Sequence, residues 1–243
     1  MARVVAIIPA RLGSRRFPRK ALHPIDGQPL IYHPWKAAMK ARLVDRLFVA
    51  TDSVEIGRAV TGFGGTVLLT SSRPRNGTER VAEAMADLRA DLVINIQGDN
   101  LGLTGAVLDR VIAAMLADKT IPVATLARKI NGRDWKAKLY DPNVVKVVVN
   151  DASDACWFSR YPIPYLKHRP AGRAVDAYPF LEHIGVYFFR RKALAEYIAW
   201  PRGRAEAAES LEQLRILENG RTLRVFLTRC PVVTVDSQDA LTT

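Results

Sequence analysis

Val4, Val5, Ala6, Ile7 and Ile8 follow one another with no polar break, and this run limits the fold more than any other stretch. Near-continuous apolar, β-branched residues mark a strand covered on both faces, as inside a parallel sheet. Pro9 ends the ladder because it has no N–H to give. The chain then turns through Arg11, Arg15, Arg16, Arg19 and Lys20, set around Gly13 and Ser14. That loop lies at the carboxyl end of the first strand, the edge at which open α/β sheets bind ligands. Two readings are open for it. A charge run often only faces water. Arginine forks and a lysine point charge beside a glycine and a hydroxyl also make a clamp for a polyphosphate. Neither the Walker spacing nor the dinucleotide glycine fingerprint occurs.

The remaining chain alternates strand and helix. Helices are predicted over Pro29–Ala41, Val54–Phe63, Glu79–Arg89 with Thr78 as its N-cap, and Leu101–Asp118. Strands are predicted between them over Leu43–Ala50, Thr66–Thr70, Asp91–Gln97 and Pro122–Arg128. Trp135–Asn143 reads as a loop, and Val144–Asn150 and Ala155–Ser159 as two strands around a turn. From Arg160 to Ala177 prolines and basic residues dominate, so 160–182 is expected to leave the main sheet as a lid or a subunit contact. Glu182–Arg190 resumes as strand, and Arg191–Ala199 and Ala205–Glu218 as helices. Leu223–Thr228 and Val232–Val235 close the chain as strands, the last delivering Asp236.

These units predict an α/β fold with a mostly parallel, doubly wound sheet, in one domain spanning all 243 residues. The strand tips would bring Arg11–Lys20, Thr51–Asp52, Asn76–Arg80 and Gln97–Asn100 to one cleft.

Composition narrows the function classes. A 49% hydrophobic content argues for a globular rather than a disordered chain. The first apolar run is too short to span a membrane and no cleavable signal pattern follows it, so no stable membrane insertion is expected. Cys156 and Cys230 form no CxxC pair, which points to a reducing cytoplasm. A net charge of +12 permits nucleic acid or an acidic small substrate as partner. The arginines are spread along the chain, with no helix-turn-helix, RNP or zinc-finger pattern, which favours the small anion over nucleic acid.

Ordered motifs then carry a family resemblance. Ile8-Pro9-Ala10-Arg11-Leu12-Gly13-Ser14-Arg15-Arg16-Phe17-Pro18-Arg19-Lys20 resembles the opening of the CMP-sugar-acid synthetases. Ala50-Thr51-Asp52, Gly77-Thr78-Glu79-Arg80, Gln97-Gly98-Asp99, Asp141-Pro142-Asn143-Val144-Val145-Lys146 and Phe158-Ser159-Arg160 continue it. His183-Ile184-Gly185-Val186-Tyr187, Ser210-Leu211-Glu212-Gln213-Leu214-Arg215 and Val235-Asp236 complete the set. Within that group the chain resembles the 3-deoxy-manno-octulosonate cytidylyltransferase (CMP-Kdo synthetase) family.

The resemblance implies a nucleotide-diphospho-sugar transferase-like fold, a homodimer and a magnesium-dependent reaction. The anomeric hydroxyl of a 3-deoxy-ulosonic acid, Kdo or a modified form such as an amino derivative, attacks the α-phosphorus of CTP and pyrophosphate leaves. By the same resemblance Arg11, Ser14, Arg16 and Lys20 hold the triphosphate, and Asp99 and Asp236 hold Mg2+. Gly77, Thr78, Arg80 and Gln97 lie near the cytidine. Arg160, His183, Tyr187, Glu212 and Gln213 form the sugar-acid pocket. The catalytic set is Arg11, Lys20, Asp99 and Asp236.

Several departures from the family pattern occur, the first of them next to the metal position. Asn100-Leu101 stands where Glu-Pro is usual, Arg19 where glycine is usual, and Asn76 where serine is common. A binder of nucleotide or acidic sugar without turnover stays open as an alternative, as does a basic nucleic-acid-binding protein.

Overall fold

The computed structural model describes residues 2–13, 17–168 and 172–235. Every residue of β1 (Val4–Ala10) is buried, and its side chains divide between the two sides of the sheet. Val4, Ala6 and Ile8 enter one apolar cluster and Val5 and Ile7 the other, so the unbroken run is explained by two covered faces.

After β1 come a small hairpin, β2 (Pro24–Ile25) and β3 (Gln28–Pro29), then α1 (Tyr32–Met39), β4 (Arg46–Thr51), α2 (Val54–Gly62) and β5 (Val67–Leu69). The chain continues through α3 (Gly77–Ala84), β6 (Leu92–Ile96), β7 (Asn100–Leu101), α4 (Gly105–Ala117), β8 (Val123–Lys129) and α5 (Trp135–Tyr140). Next are β9 (Lys146–Val149), β10 (Ala155–Ser159), α6 (Ala174–Ala177), β11 (Leu181–Arg190), α7 (Arg191–Ala199) and α8 (Arg204–Glu209). Helix α9 (Leu214–Glu218) and strands β12 (Leu223–Leu227) and β13 (Val233–Thr234) end it.

The main sheet runs β10-β9-β11-β6-β1-β4-β5, with β8 on β11 and β12 on β8. Strands β6, β1, β4 and β5 are mutually parallel, as are β8 and β12, whereas β11 lies antiparallel to β6, β8 and β9. From β1 the chain builds outward through β4 and β5 and then returns to place β6 on the other side of β1. The space beyond the tips of β1 and β6 is therefore a topological switch point, where loops diverge and leave a crevice. Helices α1, α2 and α4 cover one face with Ala38, Ile56, Val60 and Leu108, while α3, α7 and α9 cover the other with Val81, Leu194 and Leu214.

Local details differ from the sequence reading. The segment 135–143 contains α5, because Trp135 and Leu139 close on Ile130 and Phe180 in a small separate cluster. Residues of 160–182, among them Leu166, Val175 and Tyr178, pack on that same cluster rather than on the main sheet. Leu101 belongs to β7 and α4 starts only at Gly105. Asn76, not Thr78, caps α3: its Oδ1 accepts the Glu79 N–H at 2.8 Å. The helix expected over Ala205–Glu218 is broken, since Ser210 adopts a left-handed conformation with φ 52° that ends α8 before α9 begins. Among the described residues no helix is long and apolar enough to cross a membrane.

Candidate active site

At the tip of β1, Pro9 and Ala10 lead into the basic loop, which Phe17 anchors by packing against Leu30 and Val235. A 3-10 turn over Lys20–Leu22 then carries Lys20 back toward β6. Its Nζ lies 2.5 Å from Asp99 Oδ2, both side chains being only 19% exposed, so the pair bridges the switch point. Arg11 is exposed. Arg19 takes a left-handed backbone, φ 60°, and its guanidinium pairs with Glu55 at the start of α2. A Cβ on Gly13 would meet no atom within 4 Å, so packing does not demand glycine there. Ser14, Arg16 and Asp236, as well as Arg15, lie outside the described residues.

The second wall is the amino end of α3. A Cβ on Gly77 would come 2.8 Å from Gln97 Nε2 and 3.3 Å from Pro9 Cγ, so the absence of a side chain lets the helix start rest against both strand tips. The Thr78 N–H donates to Glu212 Oε2 and Gln97 Nε2 donates to Glu212 Oε1, each at 3.1 Å. One carboxylate thus receives an unpaired helix N–H and the strand-tip amide. Burial is nevertheless the larger influence, and it pushes the Glu212 carboxyl up to about 7 against the pull of the Thr78 hydrogen bonds. Arg80 is 4% exposed and turned away to Thr70, to the Ser71 carbonyl at 3.2 Å and to Asp52 at 3.4 Å. It fixes the loops beside the cleft.

Strand β11 supplies the third wall. It pairs with β9 through Leu181 and Glu182 and with β6 only from Val186 onward, and its register on β8 slips between Ile184 and Tyr187. The slip is filled by Thr125, whose hydroxyl donates to the Val186 carbonyl at 2.8 Å and meets His183 Nε2 at 2.9 Å. With the hydroxyl hydrogen committed to Val186, the network assigns the proton to Nε2 and leaves Nδ1 as an acceptor. Burial lowers the His183 imidazolium to about 3, so the ring is neutral at physiological pH. Phe158 packs edge-on against it.

The Tyr187 hydroxyl donates to Gln213 Oε1 at 3.0 Å, and burial holds its phenol well above the ordinary range. Gln213 Nε2 and Asn95 Oδ1 are buried with no hydrogen-bond partner among the described residues. Gln97 and Thr78 bond Glu212, the next residue Gln213 bonds Tyr187, and the Tyr187 ring lies 5.6 Å from that of His183, so these groups line one polar wall. Arg160 stands at its outer end, spending Nε on the Glu209 carbonyl at 2.7 Å and a terminal nitrogen on the Pro142 carbonyl at 2.8 Å.

Three residues that shape this wall were given no role by the sequence, Asn95 lying outside every motif and Lys146 and Arg215 within motifs but unassigned. Asn95 lies inside the apolar run of β6, fully buried, and its Nδ2 donates to the Thr78 hydroxyl at 3.0 Å. Lys146, also fully buried, donates to the carbonyls of Asp141, Val144 and Arg160, and burial lowers it to about 8. Arg215 grips Glu206 with two 2.7 Å bonds and reaches Glu79 at 3.1 Å, tying α9 to α8 and α3 around the Ser210 break. The usable signal in the first two cases is a polar residue inside a strand whose neighbours are all apolar.

Among the described residues no cluster of three or more His, Cys, Asp or Glu side chains is placed to hold a metal. Asp99 is a hard oxygen donor at the strand tip. That donor set fits Mg2+, which is commonly held by one or two carboxylates together with substrate phosphates and water.

Comparison with known proteins places this geometry. Residues 5–223 match the family model described as Cytidylyltransferase. A 3-deoxy-manno-octulosonate cytidylyltransferase of Syntrophobacter fumaroxidans is 42% identical, with 98% of this chain and 94% of the relative covered. The protein of that name from Chlorobium limicola is 41% identical (96% and 90% covered), and one from Escherichia coli 39% (93% and 88%). Among solved structures, a CMP:2-keto-3-deoxy-manno-octonic acid synthetase complexed with CTP superimposes with a TM-score of 0.88 at 37% identity, covering 99% of this chain and 96% of the other. An inositol-1-phosphate CTP transferase from T. maritima shares the fold alone, with a TM-score of 0.67 at 15% identity.

Proposed function

The chain belongs to the cytidylyltransferase family, and from that premise we propose how its own residues carry the reaction. It is a CTP-dependent 3-deoxy-manno-octulosonate cytidylyltransferase: the anomeric hydroxyl of Kdo attacks the α-phosphorus of CTP, the bond to the β-phosphate breaks, and CMP-Kdo and pyrophosphate leave. The observation that carries the site assignment is the Lys20–Asp99 pair across the tips of β1 and β6.

Lys20 and Arg11, with Ser14 and Arg16 of the same loop, hold the triphosphate and neutralise charge as it moves onto the departing pyrophosphate. Asp99 and Asp236 would hold magnesium, which when bound would supply Lewis-acid neutralisation of the phosphate charge. Gly77, Thr78 and Gln97 face the cytidine end, and Arg80 keeps the neighbouring loops in place. The acceptor lies along the polar wall, where Gln213 Nε2 offers a donor and His183 Nδ1 and Glu212 offer acceptors to sugar hydroxyls. Arg160 receives the sugar carboxylate. No side chain is assigned as general base.

The working form is a cytoplasmic homodimer, a reading supported by Trp157, Tyr161 and Tyr165, which expose 39%, 74% and 80% of their surface on and beyond edge strand β10. Segment 160–182, of which Leu166, Val175 and Tyr178 pack on the small separate cluster while Leu181 and Glu182 already belong to β11, contributes to that contact within a single domain. Pyrophosphate release from CTP, Mg2+ and a panel of ulosonic acids tests the reading. Kdo is expected to give the largest kcat/KM, and faster turnover of an amino-substituted acid would reassign the acceptor.

A further inference from the structure

Asn100 is 1% exposed, and both ends of its amide are committed. Nδ2 donates to the Gly185 carbonyl at 3.1 Å and Oδ1 accepts the Thr234 hydroxyl at 3.2 Å. The first bond reaches β11 and the second β13, and the backbone of Asn100 pairs with Thr234 in the β7–β13 ladder. One step along, the Val235 N–H donates to the Asp99 carbonyl at 3.1 Å, and Val235 is fully buried beside Phe17 and Leu30. A single amide therefore ties the residue after Asp99 both to the main sheet and to β13, the strand that precedes Asp236 in sequence. The place requires an amide. A carboxylate accepts only, and here it would set a negative oxygen against the Gly185 carbonyl where water has little access.

Resting on the cytidylyltransferase reading, we propose that Asn100 is a positioning residue that locks the carboxyl-terminal strand to Asp99 and thereby sets the affinity of the cleft for a divalent cation. Asn100 is in this chain a clamp between two strands. Asn100 touches no reacting atom. Its effect passes through the backbone of Asp99 and through β13.

Asn100→Asp tests this, with Thr234→Val as the milder change that removes only the β13 side of the clamp. Two readouts are needed: hydrogen exchange at the Val235 amide without metal, and binding of Mn2+, used as a spectroscopic probe, to the protein saturated with CTP. Asn100→Asp is expected to speed Val235 exchange and to weaken Mn2+ binding by roughly 10-fold or more, the usual effect of losing a group that orients a ligand. Thr234→Val should shift both in the same direction by less, and metal-free CTP affinity should stay within about twofold for both variants. Mn2+ affinity within twofold of wild type in every variant that folds overturns the proposal, whether or not exchange accelerates. Wild-type protein that binds Mn2+ and CTP yet releases no pyrophosphate with Kdo would refute the functional reading instead and leave the clamp to be judged by exchange and Mn2+ binding.

Discussion

Glu212 is an acid at the centre of a polar wall whose burial raises it to about 7 while it accepts the Thr78 and Gln97 hydrogen bonds. Its native form therefore binds a proton more tightly than the unfolded chain does. The stability this contributes is complete below about pH 4.5 and is lost as pH rises to about 7, an effect on the order of 3 kcal/mol. Glu212→Gln removes that term. Chemical denaturation at pH 4.5 and pH 8 should show the variant gaining on wild type by about that amount; a constant difference would mean an ordinary carboxyl. Asp99 acts differently. Asp99→Ala should lower kcat by at least about 100-fold with Tm within a few degrees of wild type, because a ligand is lost and not core packing. Near-normal turnover would remove Asp99 from the metal site. The place of Asp99 at a strand tip was legible from the sequence because it follows the apolar run of β6. The protonation of Glu212 and the tautomer of His183 were not, since both depend on what surrounds them in space, including Thr125 from another strand.

Among the elements, the break between α8 and α9 shapes the polar wall, because Glu212 and Gln213 lie in it. The amphipathic pattern of Ala205–Glu218 fits one helix, and nothing local announces that Ser210 turns left-handed. The cause is tertiary: Arg215 draws Glu206 and Glu79 together, and Leu211 and Leu214 are buried. A β-branched residue is strained in that conformation. Ser210→Val should cost about 1–2 kcal/mol in denaturant unfolding and raise the KM for Kdo more than that for CTP, by displacing Glu212 and Gln213. Equal effects on both KM values would contradict the assignment of this loop to the sugar. At the start of α3, Gly77→Ala would push Gln97 off Glu212 and is expected to raise substrate KM roughly 10-fold with little loss of stability, the result of a small misplacement at a positioned group. The strands of the first half were legible because both faces are covered and the pattern is unbroken. The antiparallel entry of β11 and its register slip were not, because pairing partners leave no mark on a local pattern.

At the scale of the whole molecule, sheet order gives a basic loop its meaning. Placing β6 beside β1 brings Lys20 onto Asp99 and sets α3 and β11 around one crevice, which gives charge that composition leaves unassigned a place in the proposed triphosphate site. The exposed aromatic residues about β10 predict a dimer by sedimentation at micromolar concentration, and a monomer there would contradict the proposed contact. The central claim is the transfer itself. Wild-type protein incubated with CTP, Mg2+ and Kdo should release one pyrophosphate per CMP-Kdo formed, with release abolished by omitting Kdo or by chelating the metal. No pyrophosphate above the Kdo-free control would contradict the account.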